Sequence, residues 1–106
     1  MLTTNDDQTA IFADPATLFS RATDQVSADL NGDMAILNLQ TKTYFGLEGV
    51  GAFIWQRLEV PTDLVSLTQA VMDEYEVDWE RCSADVANLL QKLSSIGLLR
   101  TATEPQ

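Results

Sequence analysis

The hydrophobic pattern of this chain changes its period once, close to Gly49, and that change constrains the fold more than any other feature of the sequence. Upstream, apolar and polar residues alternate over short segments, as they do in half-buried β-strands. Downstream, apolar residues recur at the three- and four-residue spacing of a helix face. A chain of 106 residues suits a single domain. We therefore predict an α+β domain with a three-stranded antiparallel sheet followed by three helices.

Three short alternating segments, separated by turn residues, predict the strands of an antiparallel meander. Asn31-Gly32-Asp33 is predicted to form the first hairpin turn, because asparagine and glycine tolerate positive φ. Residues 40–42 are predicted to form the second turn. The strands themselves are predicted around Val26, Ala28 and Leu30, over residues 34–39 with Ala35, Leu37 and Leu39 on one face, and over residues 43–47.

Three helices are predicted from apolar stripes and from the residues that cap them. The first is predicted to end before Pro61, the second to begin after Asp63 and the third to begin after Asp78, since aspartate is a good N-cap. Gly97 is predicted to stop the third helix. The expected apolar stripes are Val50, Phe53, Ile54 and Leu58 in the first helix, Leu64, Leu67, Val71 and Tyr75 in the second, and Cys82, Val86, Leu89, Leu93 and Ile96 in the third.

Charge and composition exclude several classes of function. The chain has no histidine and one cysteine, so histidine-dependent catalysis and an intramolecular disulfide are both excluded. The net charge of −10 would repel nucleic-acid backbones and anionic membranes. The acidic cluster between Asp73 and Glu80 lacks the central glycine of a calcium loop. We therefore expect no enzymatic activity, no cofactor, no metal, and no nucleic-acid or membrane partner.

The ends of the chain are predicted to contribute little to the fold. Residues 1–19 are expected to form a flexible arm and residues 101–106 a tail, which leaves residues 20–100 as the domain. The first residues carry neither a basic segment nor an apolar segment, so we expect no secretory signal and a cytoplasmic location.

Several short motifs, in order and without large gaps, resemble the PqqD-like family, which recognises the precursors of ribosomally made, modified peptides. They are Tyr44-Phe45-Gly46-Leu47, Val50-Gly51, Ile54-Trp55, residues 74–78, Asp85-Val86, Leu90, Leu93 and Gly97-Leu98. The resemblance implies a winged helix-turn-helix-like fold without intrinsic catalysis. It also implies that a leader peptide adds as a strand to the third strand, beside the third helix.

The resemblance is strongest to the stand-alone recognition protein of lasso-peptide systems, which implies a cysteine-protease-like leader peptidase as the partner. A radical-SAM peptide-modifying enzyme is the alternative partner. A winged-helix DNA-binding regulator and an acidic inhibitor of a basic protein are the alternatives from other classes. The DNA-binding alternative conflicts with the charge of the third helix, where Arg81 and Lys92 are the basic residues.

The residues expected to bind the peptide lie on the third strand and the third helix. For the apolar members, peptide contact and core packing both remain open. Leu90 is expected at the margin of the helical stripe, which makes it the favoured groove residue, while Asp85 has the alternative of pairing with Arg81. Trp55 is either a partner anchor or a packing residue, and Cys82 is expected to be buried. The candidate peptide-binding residues are Thr43, Tyr44, Phe45, Gly46, Leu47, Asp85, Val86, Leu89, Leu90 and Leu93.

Overall fold

The computed structural model describes residues 16–103, which form five strands and three helices. The order along the chain is β1 (Thr17–Arg21), β2 (Gln25–Leu30), β3 (Asp33–Asn38), β4 (Thr43–Leu47), α1 (Gly49–Arg57), α2 (Leu64–Glu74), α3 (Trp79–Ser95) and β5 (Leu99–Thr103). The predicted α+β class, with a three-stranded antiparallel sheet and three helices, is confirmed, and the arrangement is compatible with a winged helix-turn-helix. Within residues 16–103, no helix is long and apolar enough to cross a bilayer.

The predicted meander consists of β2, β3 and β4, in that order. Asn31 and Gly32 connect β2 to β3 with φ values of 61° and 100°, so both turn residues are left-handed, as a tight two-residue hairpin requires. Lys42, at the end of the second turn, also has a positive φ of 60°. β3 is central, so β4 pairs with a strand on one side only among residues 16–103.

The buried face of the sheet is not the face that the alternating apolar residues of β2 predict. The core face is formed by Met34 and Ile36, on a strand that packs against α1, while Val26 and Leu30 are exposed on the other face. β3 is apolar on both faces, so the alternation in β2 does not identify the buried side. The apolar residues of β2 therefore mark the outer face of the sheet.

A two-stranded ribbon, which the sequence did not predict, joins the two ends of the chain. β1 pairs antiparallel with β5, from Thr17 opposite Thr103 to Arg21 opposite Leu99. Phe19 and Leu99 are buried, so this ribbon contributes to the core. The folded unit therefore extends beyond the predicted 20–100 at both ends, and the rest of the predicted arm and tail (residues 1–15 and 104–106) lies outside the described residues.

The helix ends follow the predicted caps. The Asp63 side chain accepts a hydrogen bond from the Ser66 N–H at 2.6 Å, and Asp78 accepts one from the Arg81 N–H at 2.9 Å. Gly97 has a φ of +79°, and the next N–H, that of Leu98, donates to the carbonyl of α3 five residues back. The helix boundaries are thus fixed by local side-chain and backbone hydrogen bonds.

Trp55 packs inside the protein, which decides between its two predicted roles. Its indole is fully buried and donates a hydrogen bond from Nε1 to Ser27 Oγ at 3.0 Å. The guanidinium of Arg21 lies 4.9 Å from the centroid of the indole and donates to the Trp55 carbonyl. Trp55 therefore holds α1 between β1 and β2 and has no surface for a partner.

Asn38 connects the turn before β4 to the end of α3. Its buried amide donates from Nδ2 to the Ile96 carbonyl at 3.1 Å, and its Oδ1 accepts from the N–H groups of Gln40 and Thr41. The same side chain thus fixes β4 relative to α3, the two elements predicted to bind the peptide.

Replacing Asn38 by alanine should lower the free energy of unfolding by about 1–3 kcal/mol, because it removes three hydrogen bonds between a buried amide and the backbone of Gln40, Thr41 and Ile96. Thermal melts check this. The matched control is Gln40→Ala, which removes an exposed hydrogen bond to Asp24 and should change stability by less than about 0.5 kcal/mol. Equal melting temperatures for wild type and Asn38→Ala would contradict the proposed bridge.

Candidate functional site

The free edge of β4 is the first component of the candidate site. Outside the ladders, the Leu39 N–H donates to the Asp24 carbonyl at 3.0 Å, and the Lys42 N–H donates to the Asn38 carbonyl at 2.8 Å. The first bond shows that Leu39 directs its backbone at the β2 side, and the second shows that Asn38 directs its backbone at the β4 side. Because neighbouring residues of a strand direct their backbone groups to opposite sides, the odd-numbered residues of β3 bond to β2 and the even-numbered ones to β4.

This alternation assigns the backbone groups of β4. Phe45 lies opposite Ile36, an even-numbered residue, so the N–H and C=O of Phe45 are directed at β3. The N–H and C=O groups of Tyr44 and Gly46 are therefore directed away from β3, at the open edge. The register that the sequence left open is thus fixed by the structure.

The side chains of β4 alternate between a half-buried row and an exposed row. Phe45 and Leu47 lie on the core face and pack against the core, yet both remain half-buried because β4 is at the edge. Tyr44 is 73% exposed on the outer face, and Thr43 is exposed at the start of the strand. A Cβ added to Gly46 would meet no atom within 4 Å, so packing within the described residues does not require glycine there.

Gly51 brings the end of β4, the start of α1 and the middle of α3 together. A Cβ at this position would lie 3.5 Å from Leu47 Cδ2 and 4.0 Å from Leu89 Cδ2. The half-buried side chains of Leu47 and Leu89 therefore both lie close to Gly51. Together with Phe45 they form a partly exposed apolar surface beside the open edge, which we call the β4–α3 groove.

The predicted residues of α3 divide into core and surface. Leu90 is 0% exposed, so the prediction that it lies at the margin of the stripe is wrong. The buried line of the helix runs through Cys82, Val86, Leu90 and Leu93, and α3 packs mainly against α2. Leu89 occupies the margin instead, and it is the residue that reaches the groove.

Asp85 lies on the exposed side of α3. Its carboxylate Oδ2 is 3.9 Å from Arg81 Nε, and both side chains are largely exposed, so this is a weak surface pair. The carboxylate also borders a cavity, described next, so it remains accessible to a ligand.

A cavity of about 270 Å³ lies beyond the end of β4, between α1, α3 and the end of α2. We call it the α1–α3 pocket. Of the residues that line this pocket, the sequence analysis predicted only Asp85, Val86 and Leu89 to contact a ligand. The signal that it missed was Gly51, a glycine inside a helix, which indicates a close approach. The pocket is lined by Val50, Gly51, Ile54, Val71, Val77, Cys82, Asp85, Val86 and Leu89.

Cys82 forms part of the wall of this pocket. Burial raises the pKa of its thiol, and the carboxylates of Asp85 and Asp78 raise it further. A raised pKa keeps the thiol protonated at neutral pH, which disfavours nucleophilic attack. The sequence-based expectation of a buried packing residue is confirmed.

A second cavity, of about 460 Å³, lies at the other end of α3, near Asn38, Gly97 and Arg100. Its polar groups are in part already used within the protein, since Asn38 bridges to Ile96 and Arg100 Nε donates to Ser20 Oγ at 3.2 Å. It is also far along the helix from Leu89. We therefore assign the candidate site to the β4 edge, the groove and the α1–α3 pocket.

A family model described as coenzyme PQQ synthesis protein D (PqqD) matches residues 33–99. The chain belongs to the PqqD family. The matched segment contains β3, β4 and all three helices, so the β4–α3 groove and the α1–α3 pocket lie entirely within the part that this PqqD-family chain shares with its relatives. Among curated protein sequences, none matches the chain significantly.

Two solved structures are similar to this PqqD-family chain. One is described as TbiB1 in complex with the TbiA(beta) leader peptide; it is 34% identical, with a TM-score of 0.73 over 76% of this chain and 94% of that one. The other is described as lasso peptide synthetase B1 complexed with the leader peptide; it is 26% identical, with a TM-score of 0.70 over 77% of this chain and 96% of that one. Both relatives are thus covered over nearly their whole length.

Proposed function

We propose that this chain is a non-catalytic adaptor that binds the leader segment of a ribosomally made precursor peptide and presents it to a processing enzyme. The observation that carries the proposal is the open edge of β4 beside the apolar β4–α3 groove. The two similar solved chains are each described as complexes with a leader peptide, which supports the same class of ligand here.

Binding would combine main-chain pairing with apolar side-chain contacts. A leader that adds as a fourth strand would bond to the N–H and C=O groups of Tyr44 and Gly46. Its residues opposite Phe45 and Leu47 would then direct their side chains into the groove, because paired residues share a face. Gly46 has no side chain, so nothing at this position would crowd the side chain of the leader residue that pairs with it.

The proposal assigns no chemistry to the chain itself. The sequence has no histidine, and its one cysteine is a buried, protonated thiol. Processing would therefore take place on the partner. We propose a cysteine-protease-like leader peptidase as that partner and a radical-SAM peptide-modifying enzyme as the alternative; pull-down of each enzyme with leader-loaded chain distinguishes the two.

The winged-helix alternative, binding to DNA, is not favoured by the surface of α3. The charged residues of this helix are Glu80, Arg81, Asp85 and Lys92, so the helix carries no net positive charge. A recognition helix that enters the major groove needs a basic surface to offset phosphate repulsion.

Titration of the chain with synthetic leader peptides from precursor genes encoded nearby tests the proposal. Two or three buried apolar anchors would contribute about 1.5–3 kcal/mol each before ordering costs, which supports micromolar or tighter affinity. Because the contacts are mainly apolar and main-chain, the Kd should change by less than about threefold between low and high salt. A steep loss of affinity with salt, or equal binding of a scrambled leader, would contradict this mode of recognition.

A further inference from the structure

We propose that Asn38 is a positioning residue for leader binding: its buried side chain sets the distance between β4 and α3, and so the width of the β4–α3 groove, without touching the leader. This inference rests on the proposed function and adds to it how the groove is held ready for a peptide. A groove that already has the width of the bound state loses less conformational freedom on binding, and this preorganisation raises affinity without any new contact.

Asn38 ends the apolar row on the core face of β3. Met34, Ile36 and Asn38 share this face, because side chains alternate along a strand, and all three are buried. A buried amide loses its hydration, so it is costly unless its hydrogen bonds are made. Asn38 is 4% exposed, with β4 between it and the open edge, so a leader bound at that edge does not reach it. The amide is therefore explained by the bonds that it makes within the protein.

The two ends of the Asn38 amide hold different elements. Its Oδ1 accepts hydrogen bonds from the N–H groups of Gln40 and Thr41, at 2.9 and 3.2 Å, and so shapes the turn that leads into β4. Its Nδ2 donates to the Ile96 carbonyl at the end of α3, at 3.1 Å. The partners fix the orientation of the amide, because N–H groups need an acceptor and a carbonyl needs a donor. One planar group therefore joins the turn to the helix.

The two walls of the groove belong to different parts of the core. α3 packs mainly against α2, whereas β4 pairs with β3. Within residues 16–103, no hydrogen bond other than that of Asn38 joins the β3–β4 segment to α3. Gly97 makes the approach possible, since a Cβ there would lie only 3.3 Å from Asn38 Nδ2. The bond from Asn38 is therefore the directional link between the walls.

The length of α3 explains how a bond at its end acts on the groove. Leu89 precedes Ile96 by seven residues, which is about 10 Å along a helix that rises about 1.5 Å per residue. At Leu89 the groove is held by apolar contacts near Gly51, and such contacts are not directional. Releasing the end of α3 allows the helix to tilt, and the tilt moves Leu89 relative to β4.

Asn38→Asp tests the proposal, because it separates the two ends of the amide. The substitution keeps an oxygen that accepts from the turn, and it replaces the donor to Ile96 by an oxygen that repels the carbonyl. Leader binding should weaken by about 10-fold in titrations well below the melting temperature of the variant, where it is folded. The stability control is Phe19→Leu, which removes buried volume from the β1–β5 ribbon, lowers the melting temperature and should bind the leader like wild type.

A double-mutant cycle with Leu89→Ala gives a readout that a purely structural role does not move. Substitutions about 10 Å apart that share no partner have additive effects. If Asn38 positions the groove, Leu89→Ala should weaken binding severalfold in wild type and by less than about twofold in Asn38→Asp, because the displaced helix no longer brings Leu89 to the leader. In Phe19→Leu, the loss caused by Leu89→Ala should equal that in wild type.

The outcomes separate this inference from the proposed function. If wild type binds the leader and Asn38→Asp binds it equally well, or if the effects of Asn38→Asp and Leu89→Ala add, then Asn38 serves stability alone and the proposed function stands without the inference. If Phe19→Leu weakens binding as much as Asn38→Asp at a similar melting temperature, the inference is overturned in the same way. If wild type binds no leader, the proposed function and the inference fail together.

Discussion

Tyr44→Pro should remain folded and lose leader binding, whereas Phe45→Pro should lose much of its stability. Proline removes the backbone N–H, and the N–H of Tyr44 is directed at the open edge while that of Phe45 is directed at Ile36. The Phe45 substitution breaks the ladder and removes a half-buried ring, at a cost of about 3 kcal/mol or more. Thermal melts and leader titrations on both variants check this.

Alanine variants at the same two positions separate backbone effects from side-chain effects. Tyr44→Ala keeps the N–H, so it should bind the leader better than Tyr44→Pro does. Phe45→Ala keeps its ladder bond and should be more stable than Phe45→Pro. The account is wrong about the docking edge if both proline variants fold and bind like wild type, and wrong about the register if their phenotypes are exchanged.

Leu90→Asp should unfold the protein, whereas Leu89→Asp should fold and bind the leader poorly. Leu90 is fully buried, so its replacement loses about 2–5 kcal/mol of packing and also buries a carboxylate. Domains of this size are stable by only about 5–15 kcal/mol. Leu89 is half-buried at the groove, where a carboxylate remains hydrated but repels an apolar leader side chain.

Circular dichroism melts and titrations of both variants provide the measurement. Leu89→Ala is the control, because it shortens the side chain without adding charge and should weaken binding less than Leu89→Asp does. Cooperative folding of Leu90→Asp, or normal leader binding by Leu89→Asp, would show that the groove has been assigned to the wrong face of α3.

Local signals in the sequence were sufficient for the three strands of the meander, the three helices and their ends, but not for β1 and β5. Asn31 and Gly32 predicted a turn that needs positive φ, Asp63 and Asp78 predicted the N-caps, and Gly97 predicted the end of α3. Each of these residues acts on its own neighbours in the chain, so no tertiary information is needed to interpret it.

Tertiary packing determines which apolar residues are buried and which distant strands pair, and the sequence pattern alone does not reveal either. β3 is apolar on both faces, and only the helices above it determine that Ile36 is buried while Val26 on the neighbouring strand is exposed. The sequence analysis placed Leu89 in the buried stripe of α3 and Leu90 at its margin, and the structure shows the reverse. The cause is again tertiary packing, because α3 packs against α2. β1 and β5 pair over a long sequence separation, which no local pattern reveals.

The sequence predicted which strand and which helix form the site, but it did not predict the backbone directions in β4 or the α1–α3 pocket. β4 and α3 were both expected to bind the peptide, and the structure places Leu47 and Leu89 close to Gly51. The direction of each backbone N–H in β4 depends on pairing with β3, so it could not be read from the sequence. The α1–α3 pocket requires three helices to meet and was likewise missed.

Amide hydrogen exchange, measured residue by residue with and without leader peptide, tests the central claim most directly. The account predicts that the amides of Tyr44 and Gly46 exchange rapidly in the free protein and become protected when the leader binds, while the Phe45 amide is protected in both states. Ser27 and Asp29, directed at the opposite edge of the sheet, should be unaffected. Protection of Ser27 and Asp29 with no change at Tyr44 and Gly46 would contradict it.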